Sequence, residues 1–125
     1  MAARKPARAL SKRRFREVYF GHASIVLKAR HRIRLRAYAR YLVSKPQVLV
    51  ALVGHRDVSE TTALSTRLGR RRAAAVRAFL EHEGVVRRRI TVASFADRMP
   101  LESPARRSSA AMNRRVDILY FGDGA

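Results

Sequence analysis

At 125 residues, 47% of them hydrophobic, the chain is long enough for one domain with a two-layer core and too short for two. Its 28 lysines and arginines against 9 acidic residues give a net charge of +19, so its expected partners are anionic: nucleic acid, acidic lipid headgroups, or a wall polymer carrying carboxylates. Without cysteine there is no disulfide framework, thiolate metal site or thiol nucleophile.

Met1 to Arg16 is a basic lead-in containing Pro6, expected to be mobile through residue 17. It has no apolar stretch long enough for a signal-peptide core, and no segment of the chain reaches the length of a membrane span. Export or anchoring, if it occurs, is therefore expected to depend on a segment outside this sequence. Val18-Tyr19-Phe20 reads as a short strand ending at Gly21. From Ile25 to Ser44, Leu27, His31, Leu35, Tyr38 and Leu42 recur at helical spacing, and Pro46 stops the helix. His31 in that stripe is expected to be a satisfied core or boundary histidine. The other histidines (His22, His55, His82) lack ligand-like spacing, so no metal site is expected.

Gln47 to Val53 reads as a strand whose continuous apolar character predicts cover on both faces. The turn Gly54 to Glu60 leads to a second helix from Leu64 to about Glu83, with Gly84 as its C-cap. Arg87 to Arg89 precede a strand from Ile90 to Phe95, and a loop with Pro100 and Pro104 follows. The last strand, Arg114 to Phe121, alternates: Val116, Ile118 and Tyr120 on one face, Arg115 and Asp117 on the other. The expected architecture is α+β in βαβαββ order, a four-stranded mixed sheet with two main helices packed on one face. The domain is expected to span residues 18–121, leaving a short tail from 122 to 125.

Within the second helix Leu64, Leu68, Ala75, Val76 and Phe79 mark the inward face, and Arg72 lies in that stripe, four positions from both Leu68 and Val76. Arg67, Arg70 and Arg77 fall on outward or flanking sides. A guanidinium facing inward needs an anionic partner, from the protein or from a ligand. Asp57 is the nearest acidic candidate. On spacing alone the bland alternative stands beside this: Asp57 with Glu60 as a helix cap, and Arg72 as a snorkelling or structurally paired arginine.

Four stretches in order resemble the OmpA-like C-terminal domain family, which includes peptidoglycan-associated lipoproteins and MotB-type stator domains. They are Val18-Tyr19-Phe20, Val53-Gly54-His55-Arg56-Asp57, Leu64 through Arg72-Ala73 to Val76, and Asn113-Arg114-Arg115-Val116-Asp117-Ile118. Val92-Ala93-Ser94-Phe95 followed by Pro100 also fits. The resemblance implies non-covalent binding of peptidoglycan through the diaminopimelate of its stem peptide, without cofactor, in the periplasm near wall or outer membrane. It implies that Asp57 accepts hydrogen bonds from the ligand's ammonium, that Arg72 grips the carboxylate in bidentate fashion, and that Arg114 lines the same pocket. Ser65 and Asn113 would organise its loops.

The chain departs from the family pattern at Arg56, Glu60, Ser65, Gly69, Gly21-His22 and Ala96. Gly69 inside a helix is expected to cost about half to one kcal/mol. A nucleic-acid-binding reading, using the first helix, Arg70 to Arg72 and Arg87 to Arg89, competes with wall binding, although few aromatics interleave with the arginines. Adventitious attraction to nucleic acid or anionic lipid is expected in either case. No phosphate-binding glycine loop, paired carboxylates or Ser/His/Asp arrangement supports an enzyme.

Overall fold

A computed structural model describes residues 17–55, 65–96 and 114–122. The elements are β1 (Glu17–Tyr19), α1 (Ala29–Ser44), β2 (Leu49–His55), α2 (Ser65–His82), a 3-10 turn (Arg87–Arg89), β3 (Ile90–Ala96) and β4 (Arg115–Phe121). The strands form one sheet in the order β1-β4-β2-β3. β2 and β3 run parallel, joined through α2, while β4 lies antiparallel to both β1 and β2. This is the expected βαβαββ arrangement with a four-stranded mixed sheet.

The strand pleat puts Val18, Val50, Leu52, Val116 and Ile118 on the helix-covered face, where they meet Leu35, Tyr38 and Leu42 of α1 and Ala73, Val76 and Leu80 of α2. Leu35, Leu42, Leu52 and Leu80 are fully buried, each contributing about 1.5–3 kcal/mol of apolar transfer. The opposite face differs from expectation. Val53 and His55 are buried there, but Leu49 is 51% exposed and its cross-strand partner Phe121 is 55% exposed. The apolar run of β2 is therefore not covered on both faces along its length. Its first residue belongs to an open apolar row.

α1 begins at Ala29, four residues later than its periodicity predicts. The reason is tertiary. Ser24 Oγ accepts the amide of Val26, Gly21 and Ser24 close a turn, and the carbonyls of both residues are engaged by Arg72. β2 runs past Val53 to His55, with a register shift at Gly54/His55 against β3. α2 ends as expected at Gly84, whose φ of 107° suits glycine. Gly84 N donates to Glu81 O and Val85 N to Leu80 O, the paired bonds of a Schellman motif.

Gly69 has a packing reason that outweighs its helical cost. A Cβ at Gly54 would stand 1.6 Å from the Gly69 carbonyl oxygen, and one at Gly69 would stand 2.8 Å from Gly54 O. Helix and strand backbones touch here because neither residue has a side chain. The basic lead-in, the turn from Arg56 to Glu60, the Pro100–Arg107 loop and the end of the C-terminal tail lie outside the described residues.

Candidate functional site

The β2–α2 glycine contact lies one helical turn from Arg72, which has no exposed surface. Its Nε donates to Ser24 O at 2.9 Å, Nη1 to His55 O at 3.0 Å, and Nη2 to Gly21 O at 3.0 Å. Its guanidinium carbon sits 5.4 Å from the centre of the Phe20 ring, a cation–π distance. One side chain on α2 thus ties the segment leaving β1 to the end of β2. Charge-assisted bonds to carbonyls meet much of the desolvation cost of a buried guanidinium.

Arg114, the residue just ahead of β4, approaches the same segment. Its Nε donates to Phe20 O at 3.1 Å, while Phe20 N donates to Arg114 O at 2.7 Å. Arg114 and Arg72 therefore hold the consecutive carbonyls of Phe20 and Gly21. The two arginines, forty-two positions apart in the chain, thus meet on one short backbone segment. Arg72 also holds the backbone of His55, two positions ahead of Asp57. Asp57, Asn113 and the side chain of Ser65 lie outside the described residues; Ser65 is the first residue of α2. Among the described residues, Arg72 donates to the backbone carbonyls of Gly21, Ser24 and His55.

A second network went unassigned in the sequence. His55 Nε2 lies 3.0 Å from Asp117 Oδ2, and Arg115 Nε donates to Asp117 Oδ1 at 2.8 Å. A carboxylate only accepts, so the imidazole presents a protonated Nε2 to it. Burial would raise the pKa of Asp117, but the hydrogen bonds from His55 and Arg115 and the charge of Arg115 outweigh it and hold the carboxyl below its ordinary value. His55 and Arg115 are themselves buried. The i, i+2 placement of Arg115 and Asp117 on one strand face was visible; their partner across the sheet, His55, was not. No cluster of potential metal ligands occurs among the described residues.

His31 is a core residue, 6% exposed, but neither ring nitrogen has a partner among the described residues, so it is not the satisfied histidine expected. Burial first, and then Arg30, Arg34 and Lys28, push its pKa down.

A strand–helix–strand frame thus places two arginines on one segment, a positive charge suited to an anionic group. The OmpA family model matches residues 19–114, most of the chain. The chain belongs to the OmpA family. It is 32% identical over 101 residues to a peptidoglycan-associated lipoprotein of Legionella pneumophila, an overlap of 81% of this chain and 57% of that protein. The chain thus spans little more than half of that relative's length. The crystal structure of the peptidoglycan-associated lipoprotein from Burkholderia pseudomallei superposes with a TM-score of 0.79 at 32% identity, covering 85% of this chain and 90% of that one. The cell wall anchor of the T6SS from Pseudomonas aeruginosa superposes with a TM-score of 0.69 at 26% identity, covering 80% and 72%. OmpA-family domains of this kind are non-enzymatic, and the chain is not an enzyme. No helix among the described residues is long and apolar enough to cross a membrane.

Proposed function

We propose that this OmpA-family domain binds peptidoglycan non-covalently in the periplasm, recognising the diaminopimelate of the stem peptide, and so tethers an envelope protein to the cell wall. The observation that carries the reading is the convergence of Arg72 and Arg114 on the Phe20–Gly21 backbone, with Arg72 also holding the chain just ahead of Asp57. Relatives named for association with peptidoglycan support it.

The free end of diaminopimelate is a zwitterion. Asp57 accepts hydrogen bonds from its ammonium, and its carboxylate is drawn to the positive wall formed by Arg72 and Arg114. Ser65 and Asn113 shape the loops around it. The +19 surface adds an attraction to the anionic wall that salt screens, whereas contacts inside a pocket are screened less.

The test is an NMR titration with a diaminopimelate-containing stem peptide at about 0.15 M salt, where exposed charges are screened within about 8 Å. Wild type is expected to show saturable shifts around His55, Arg72 and Arg114 that vanish in Asp57→Ala. Diffuse shifts over the arginine surface, equal in both proteins, would overturn the reading and favour nucleic-acid binding through the exposed arginines of α1.

A further inference from the structure

The pole of the domain opposite Arg72 carries a second feature. β2 runs from Leu49 to His55, so its two ends stand roughly 20 Å apart. At the Leu49 end there is a cleft of about 510 Å³ whose wall includes Val43, Pro46, Leu49, Val86, Arg88 and Arg89. Its size is that of a ligand-binding pocket. Val43, Leu49 and Val86 are each about half exposed, an unusual state for three neighbouring aliphatic side chains.

The polar part of the cleft is built rather than incidental. Arg89 is only 9% exposed. Its Nε donates to Val48 O at 3.0 Å, and its Nη2 to Leu42 O at 2.8 Å and Lys45 O at 2.7 Å. These bonds cap the C-terminal end of α1 and fix the guanidinium in place. Its Nη1 makes no bond among the described residues. Carbonyls neutralise no charge, and Arg88 beside it is exposed with no ion pair among the described residues. No acidic side chain among the described residues lines the cleft. Burial and the charge of Arg88 both press against the charged form of Arg89, a penalty that a bound carboxylate relieves.

We propose that this cleft docks an acidic peptide segment of a partner protein, its carboxylate meeting Arg88 and Arg89 while an adjoining apolar side chain seats on Val43, Leu49 and Val86. A peptide fits better than a small carboxylate because the apolar surface continues beyond the cleft. Leu49 pairs across the sheet with Phe121, and Leu119 lies two residues further along the same open face, 45% exposed. An extended segment leaving the cleft covers this row, whereas a small anion leaves it bare. The inference stands apart from the wall-binding reading, since it uses other residues at the other end of β2.

The probe is a fluorescein-labelled peptide alternating Glu and Leu, followed by fluorescence anisotropy at about 0.15 M salt. Two further peptides replace Glu by Gln or Leu by Gly. Arg88→Ala and Val86→Asp alter exposed positions and keep the Arg89 cap, so both should fold; Arg34→Ala removes an equal charge from exposed α1. Saturable binding is expected, weakened about tenfold by Arg88→Ala and by Val86→Asp but within about twofold for Arg34→Ala. Both control peptides should bind more weakly. Equal losses in Arg34→Ala and Arg88→Ala, or undiminished binding of the Gly-containing peptide, would mean diffuse attraction to a basic surface and overturn the proposal. So would an inert peptide alongside Arg88-dependent binding of phosphatidylglycerol vesicles, which would identify a membrane surface as the occupant. The stem-peptide titration of Val86→Asp reads the other pole, so failure of either reading is seen without the other.

Discussion

Arg72 and Arg89 use one chemical device at opposite poles of the domain. Each is a buried guanidinium holding three backbone carbonyls. They differ in what those carbonyls belong to. Arg89 holds Leu42, Lys45 and Val48, a single connection between α1 and β2. Arg72 holds Gly21, Ser24 and His55, which reach its helix from two separate parts of the chain, and it adds the face of Phe20. The same donor geometry closes a local corner in one place and assembles a site from distant segments in the other. Global stability should therefore depend more heavily on Arg72, and the proposed stem-peptide recognition should depend on its pole.

The comparison breaks most directly at Arg72. Arg72→Ala removes the donor from three carbonyls, that of His55 buried and those of Gly21 and Ser24 part-buried, and empties a fully buried side-chain site, so it is expected to destabilise the domain by about 3–5 kcal/mol in urea unfolding. Arg72→Lys should recover only part, because one ammonium cannot match three acceptors in the plane of a guanidinium. Gly54→Ala tests the same pole through packing. Its Cβ would collide with the Gly69 carbonyl, so helix and strand must separate, at a cost of about 3 kcal/mol. A midpoint unchanged by that substitution would mean that α2 does not rest on β2 as closely as described.

Arg89→Ala should cost less, about 2–3 kcal/mol, because the three carbonyls it holds belong to one local connection and the side chain itself is 9% exposed. It should leave stem-peptide shifts around Arg72 and Arg114 intact. If Arg72→Ala and Arg89→Ala proved equally costly, the contrast between a local corner and a long-range assembly would not hold.

The smallest expected effects are pH-dependent. The carboxyl of Asp117 is held below its ordinary value, so on acidification the unfolded chain protonates it first. The unfolded state then binds more protons, and stability present above the unfolded value of 3.8 is lost as pH falls through the folded one. The pKa of His31 is also depressed, and the unfolded chain takes that proton first as pH falls below 6.5. Both groups make acid destabilising, in successive windows. Urea midpoints measured downward from about neutral pH should lose the upper phase in His31→Leu and the lower phase in Asp117→Asn. The comparison sharpens here because only the lower phase reports on the network joining His55 to β4.

Much of the fold was legible. The apolar periodicity of α2, the Gly84 stop, the alternation along β4 and the order of elements each rest on local chemistry that neighbouring residues state directly. Arg72 was legible as an anomaly, since a charge inside an apolar stripe needs an explanation. Arg89 was not: as the last of three consecutive arginines it looks like surface charge, and only the fold reveals that it turns inward to cap another helix. The late start of α1 was hidden for a related reason. Its first turn could have formed from Ile25 by periodicity, but the Gly21 and Ser24 carbonyls just before it are held by a side chain forty-eight or more positions away.

Gly69 shows how a local rule yields to a distant partner. Helix propensity counts it as a loss, while its contact with Gly54 makes any side chain there a collision. By itself the sequence determined which residues are apolar, how they recur, and where glycine and proline interrupt them, because those properties act between near neighbours. Which arginines are buried, which carbonyls they hold, and that His55 meets Asp117 were decided only by tertiary structure. Hydrogen-bond partners are selected by proximity in space, and the chain brings these together only when the sheet has formed and the helices have packed on it.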